Sequence, residues 1–163
     1  MASILHVAVG LAAGRLHAGR PRLLPALAFS ALSMLPDADV VTFRLGIPYS
    51  HPLGHRGASH SVAFATACGL VALAVTRCAW RTAGLVCLVV LSHPLLDALT
   101  SGGLGVGLLW PLSPERFFAP WQPIPVAPIG WGFLSARGLE VALAELLPSL
   151  PLVLYALWPS RRR

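Results

Sequence analysis

Apolar runs at about residues 3–14, 23–36, 61–76, 83–99 and 138–158 dominate this chain and leave little polar surface to face water. A soluble domain carries about a quarter charged residues. Here 11% are charged and 56% hydrophobic, and the mean hydropathy is +0.72. The expected class is therefore an all-α integral membrane helical bundle, with residues 1–163 as one domain. Crossing the hydrocarbon takes roughly 20 helical residues, with a lower limit near 17. The last run is long enough, the fourth adequate, the third marginal and the first two short. Those two either tilt, extend into flanking residues or form a re-entrant hairpin packed against the others. About five transmembrane helices are expected, with four plus a re-entrant pair as the alternative. Between the fourth and fifth, residues 101–137 are too rich in Pro and Gly for a regular spanning helix. Trp110, Trp121 and Trp131, with Phe117 and Phe118, suit a loop at headgroup level.

The net charge of +6 comes from twelve arginines and no lysine. They are scattered between the apolar runs, so no basic face for nucleic acid is expected. Topology explains them better. With five helices and the N-terminus outside, the internal segments hold Arg15, Arg20, Arg22, Arg77, Arg81, Arg161, Arg162 and Arg163. The external ones hold Arg44, Arg56, Arg116 and Arg137. Eight against four obeys the positive-inside rule and puts the C-terminus of a multi-pass membrane protein in the cytoplasm. The first residues lack a basic n-region and include a histidine, so no cleaved signal peptide is expected. Cys68, Cys78 and Cys87 form no CxxC pair and read as small apolar packing residues.

On that topology the ionisable residues gather on the outer side. His6 starts the first helix, Asp37 and Asp39 (LPDADV) follow the second, and His55 and His60 (HRGASHS) precede the third. His93 and Asp97 sit in the outer part of the fourth. Ionisable residues in or near lipid are costly and mark functional sites by default. His93 and Asp97 are i and i+4, so they share one helix face, and Pro94 removes a backbone donor beside them. Asp37 and Asp39 point the same way if their segment is extended. Ser59 is a candidate N-cap for the third helix. Each piece alone has a plainer explanation: an interfacial histidine, a helix stop at Pro and Asp, a polar loop, an intrahelical His–Asp bond. Their convergence favours metal coordination. Imidazole nitrogen and carboxylate oxygen together suit zinc, manganese or iron. Seven candidate ligands, His6, Asp37, Asp39, His55, His60, His93 and Asp97, exceed one tetrahedral ion, so two divalent ions are expected.

His6 with Gly10, LPDAD at 35–39, HRGASHS at 55–61, HPLLDALTSGG at 93–103 and WPLSP at 110–114, in that order, resemble the YdjM-like family of inner-membrane metal-dependent hydrolases. The resemblance covers about residues 1–120. At these motifs the family is similar to zinc-dependent phospholipase C and P1 nuclease, which implies phosphoester hydrolysis. One departure is that no H-x-x-x-E pair occurs here. Together with the outer-side cluster and the aromatic loop, the resemblance makes the leading expectation a phosphoesterase at the outer membrane–water interface, acting on a lipid or amphiphile. Asp97 would bridge the ions, Asp39 would be a ligand or the general acid or base, and Arg56 would hold a phosphate oxygen. Two rivals belong to other classes. A metal-ion transporter would place its site near the bilayer midplane, in repeated halves, and no repeat is visible. A structural membrane protein would use the metal only as a staple.

Overall fold

A computed structural model describes residues 4–159. Five α-helices build it: α1 (Ile4–Ala18), α2 (Leu23–Met34), α3 (Val62–Val75), α4 (Trp80–Ala98) and α5 (Ala136–Leu157). The described residues contain no regular strand, only the isolated bridges Thr100–Ile124 and Val106–Phe117. The chain is thus an all-α bundle, as its hydrophobic pattern predicts.

The distribution of helix lengths differs from expectation. α2 does not stop at LPDAD. It tightens into a 3-10 helix over Leu35–Leu45, because Pro36 sits in the first turn of that segment, where its missing N–H costs nothing. Gly46 ends it in the left-handed region at φ 74, with its N–H bonded to the Phe43 carbonyl. The combined stretch of 23 residues, like α4 with 19 and α5 with 22, is long and apolar enough to cross a bilayer. At 1.5 Å per residue, α1 (15 residues) and α3 (14) reach only about 22 Å, short of a roughly 30 Å core. The short helices are the first and third, rather than the first two.

Small residues let the helices approach closely. A Cβ on Gly10 would lie 2.3 Å from Ser30 Cα, and one on Gly14 2.6 Å from the Pro25 carbonyl oxygen. α1 and α2 therefore pack backbone to backbone as an antiparallel hairpin. Gly69 gives α3 the same access to Cys87 on α4. Ala13, Phe29, Ala65, Val86, Val89 and Val90 form the core, with Cys68 and Cys87 packed against it. Leu24, Val75 and Leu147 point outward, each more than three-quarters exposed, as side chains facing lipid do. α5 lies along α1: Glu145 accepts the Ile4 N–H (2.8 Å) and the Leu5 N–H (3.2 Å), and the Arg15 guanidinium donates to the Trp158 carbonyl.

α1 and α5 run parallel, and α4 runs against them. The bundle consequently has two chemically different ends. One gathers the histidines and aspartates. The other holds Arg15, Arg20, Arg22, Arg77 and Arg81, the grouping that the five-helix count predicts; Arg161, Arg162 and Arg163 lie outside the described residues. The long connection after α4 is irregular, as expected. It is tied down by Gly107 N–H to Arg56 O (2.7 Å) and Val62 N–H to Leu108 O (3.0 Å). Trp121 and Trp131 stand out from it, whereas Trp110 and Phe117 are half-buried.

Candidate metal centre

Four segments meet at the first end. α4 continues helically through Pro94 and carries His93 and Asp97 in its last two turns, both fully buried. The 3-10 segment after α2 delivers Asp37 and Asp39. It is not extended, and the tight turn sends the two carboxylates to opposite edges of one imidazole, that of His60. Asp37 Oδ1 lies 3.6 Å from His60 Nε2, while Asp39 Oδ2 lies 3.1 Å from His60 Nδ1.

Asp37, His60, His93 and Asp97 each offer one donor atom to a common point. The contacts are His93 Nε2–Asp37 Oδ1 at 3.3 Å, His60 Nε2–Asp97 Oδ2 at 3.5 Å and His93 Nε2–Asp97 Oδ2 at 3.8 Å. A tetrahedron of ligands about 2.05 Å from zinc has edges of about 3.3 Å. The observed edges are close to that. Asp37 Oδ1 and Oδ2, His60 Nε2 and His93 Nε2 are all buried without a hydrogen-bond partner. Such atoms are costly unless something between them satisfies all at once. The donor set therefore fits a divalent cation.

The far nitrogens of both histidines are held. His93 donates from Nδ1 to the Ser33 carbonyl (2.7 Å), and His60 Nδ1 faces Asp39 and the Ser59 hydroxyl. Such outer contacts fix the ring and leave the other nitrogen for metal. Burial disfavours a proton on His60, but the carboxylates of Asp37, Asp39 and Asp97 around the ring outweigh this and push its pKa up to about 10.

The other expected ligands stand around this set. Asp39 accepts from His55 Nδ1 (2.6 Å), the Arg56 N–H (3.1 Å) and the Ser59 hydroxyl. Asp39, His55 and His60 form a second cluster of donor type, already bonded to one another. His6 lies beside the four donors, with Nε2 3.3 Å from the His93 carbonyl and 4.0 Å from Asp97 Oδ1. Arg56 is buried at φ 60 and engaged throughout: Nε meets Asp97 Oδ2 at 3.0 Å, and its two amino groups donate to Gly102 O and Thr100 Oγ1. It locks Asp97 to the turn that follows α4.

Several supports were not legible as site residues. Ser33 donates to the His6 carbonyl and accepts from His93, joining α1, α2 and α4. Ser59 is not the N-cap of α3. Ser61 fills that role, accepting the Phe64 N–H, which frees Ser59 for Asp39. Arg116 holds the loop before the site through Tyr49 O (2.9 Å) and His55 O (3.0 Å). A groove of about 310 Å³ bordered by Tyr49, His55, Gly103 and residues 126–129 opens next to this cluster.

Apolar helices with lipid-facing sides, closed at one end over a buried histidine–aspartate donor set, define a multi-pass membrane protein with a candidate metal site. The chain belongs to the YdjM inner membrane protein family, whose profile matches residues 1–161. It is 44% identical over 172 residues, 98% of each chain, to inner membrane protein YbcI of Escherichia coli (strain K12). No solved structure matches it.

Proposed function

We propose that this protein is a membrane-embedded, metal-dependent hydrolase of phosphoesters, with its site at the outer membrane–water interface. The observation that carries the metal is the convergence of Asp37, His60, His93 and Asp97, with partnerless donor atoms on three of them turned to one point. The second cluster is already hydrogen-bonded internally, so the reading is one ion, preferably zinc, rather than the two expected from ligand count. A divalent ion held by Asp37, His60, His93 and Asp97 would supply Lewis acidity and lower the pKa of water toward neutrality. The protein's own groups supply the rest. Asp39 orients His55 through Nδ1, and the imidazole borders the groove, placed to carry a proton between solvent and substrate. Tyr49 and the 126–129 segment give the groove an apolar wall suited to an amphiphilic ester. Arg56 holds Asp97 in place and positions the site through it.

A second reading rests on a specific feature. Four protein donors in full burial resemble a closed structural zinc site, whereas catalytic sites keep a position open. Elemental analysis of the purified protein, with a phosphodiester and phospholipid hydrolysis panel, separates the two. Metal near one per chain with chelator-sensitive turnover supports the hydrolase. Metal without turnover, removable only with loss of folding, supports the staple. No bound metal overturns both.

A further inference from the structure

The end of the bundle away from the histidine–aspartate cluster carries a second feature that metal chemistry does not use. Between the last turn of α1 and the first turns of α4 lies a groove of about 490 Å³, lined by Leu16, His17, Trp80, Arg81, Leu85 and Leu88, with Gly84 in its wall. Its chemistry is graded. Leu16, Leu85 and Leu88 make an apolar wall along the helices, and His17, Trp80 and Arg81 form a polar mouth at their ends. A Cβ on Gly84 would meet nothing within 4 Å, so the wall is open there. Trp80 is largely exposed, the placement of an interfacial tryptophan.

The charge around this mouth is one-sided. Arg15, Arg20, Arg22, Arg77 and Arg81 lie at this end by helix order. The aspartates Asp37, Asp39 and Asp97 are all in the opposite cluster; Glu115 and Glu140 lie in and just after the connection at that end, and Glu145 is bonded to the start of α1. Among the described residues the arginine–acid pairs are Arg56–Asp97 and Arg137–Glu140, both away from this end. Arg81 thus has a guanidinium, an apolar trough below it and, among the described residues, no acidic partner. A basic pocket between transmembrane helices on the cytoplasmic side is a recognised receptor for anionic headgroups.

We propose that this groove binds an anionic glycerophospholipid, its phosphate against Arg81 and His17 and one acyl chain along Leu16, Leu85 and Leu88. The site is independent of the metal centre and of any hydrolysis there.

Native mass spectrometry of the full chain with phosphatidylglycerol or phosphatidylcholine of matched acyl chains tests it. Wild type retains phosphatidylglycerol in preference, and Arg81→Gln lowers that retention about fivefold, the worth of one arginine near an anionic surface. Gly84→Leu, whose Cβ meets nothing within 4 Å, fills the open wall and lowers retention of both lipids. Arg137→Gln, whose guanidinium pairs with Glu140 at the other end, changes neither. Equal retention of the two lipids by wild type overturns the proposal. So does undiminished retention in both Arg81→Gln and Gly84→Leu, or an equal loss in Arg137→Gln, which would mark diffuse charge attraction.

Discussion

Within the proposed metal centre, Asp39→Asn distinguishes a residue that would hold metal from one that would hold a ligand. The structure gives Asp39 three donors: His55 Nδ1 on one oxygen, and the Arg56 N–H and Ser59 hydroxyl on the other, with His60 Nδ1 3.1 Å from that second oxygen. Asparagine keeps the shape but offers one acceptor oxygen and an NH₂. It cannot accept on both sides at once. If its oxygen faces His55, its NH₂ opposes the Arg56 N–H; turned the other way, it opposes His55. Either orientation loses a charge-assisted bond and loosens His60, whose Nε2 faces the proposed metal position. Loss of such an outer carboxylate costs about 10- to 100-fold in metal affinity, or about 1.4 to 2.8 kcal/mol. Asp37→Asn acts on a donor atom itself and should cost more. Zinc affinity measured by competition with a chromogenic chelator, in folded detergent-solubilised protein, orders the three proteins wild type > Asp39→Asn > Asp37→Asn. Equal abolition by both substitutions would make Asp39 a ligand, and an unchanged affinity in Asp39→Asn would remove its supporting role.

Other outcomes follow from the same geometry. In metal-free protein His60 holds a proton up to about pH 10. Metal must displace it, so zinc affinity climbs as pH rises from 6 to 8, by up to about tenfold per unit for one proton released; a flat profile refutes that protonation. The raised pKa also stabilises the empty protein fully below about pH 6.5 and loses that stabilisation as pH rises through about 10, which thermal melts of chelated protein can read. Gly10→Ala pushes a methyl to 2.3 Å from Ser30 Cα and should destabilise by about 1–3 kcal/mol or more, shown as a lower melting temperature. Glu145→Ala strips the acceptor from two N–H groups at the start of α1, an expected cost of about 1–3 kcal/mol, with Glu145→Gln recovering part of it. A reporter fused to the C-terminus should report the cytoplasm.

Much of the fold was legible because lipid imposes a single strong rule. Apolar runs must become helices, and each run matches one to within a few residues. What escaped was the fate of the segment after Met34. Pro and Asp usually announce a stop, and nothing local in LPDADVVTFRL distinguishes a stop from a tightened continuation. The histidine–aspartate cluster was legible too, since ionisable side chains in a charge-poor chain have few reasons to exist. Their ranking was not. Asp37 and Asp39 look alike in sequence, and only the 3-10 turn sends one to His60 Nε2 and the other to Nδ1. Ser33 was invisible because its carbonyl does much of the work, and a backbone oxygen has no sequence signature.

Charge balance explains why this end tolerates so many ionisable groups. Three carboxylates, Asp37, Asp39 and Asp97, are buried or nearly so, and Arg56 supplies one positive charge, paired with Asp97 at 3.0 Å. With neutral imidazoles, two negative charges are left. An uncompensated buried charge is expensive enough that a group takes up or loses a proton instead, and His60 in the empty site answers by holding one. That offsets only half of the deficit. A single divalent cation at the four-donor point would neutralise it and let every imidazole be neutral, as ligation requires. A second would leave the same pocket with two excess positive charges. Charge and geometry thus both favour the proposed single ion, and a metal content of two per chain would refute that proposal.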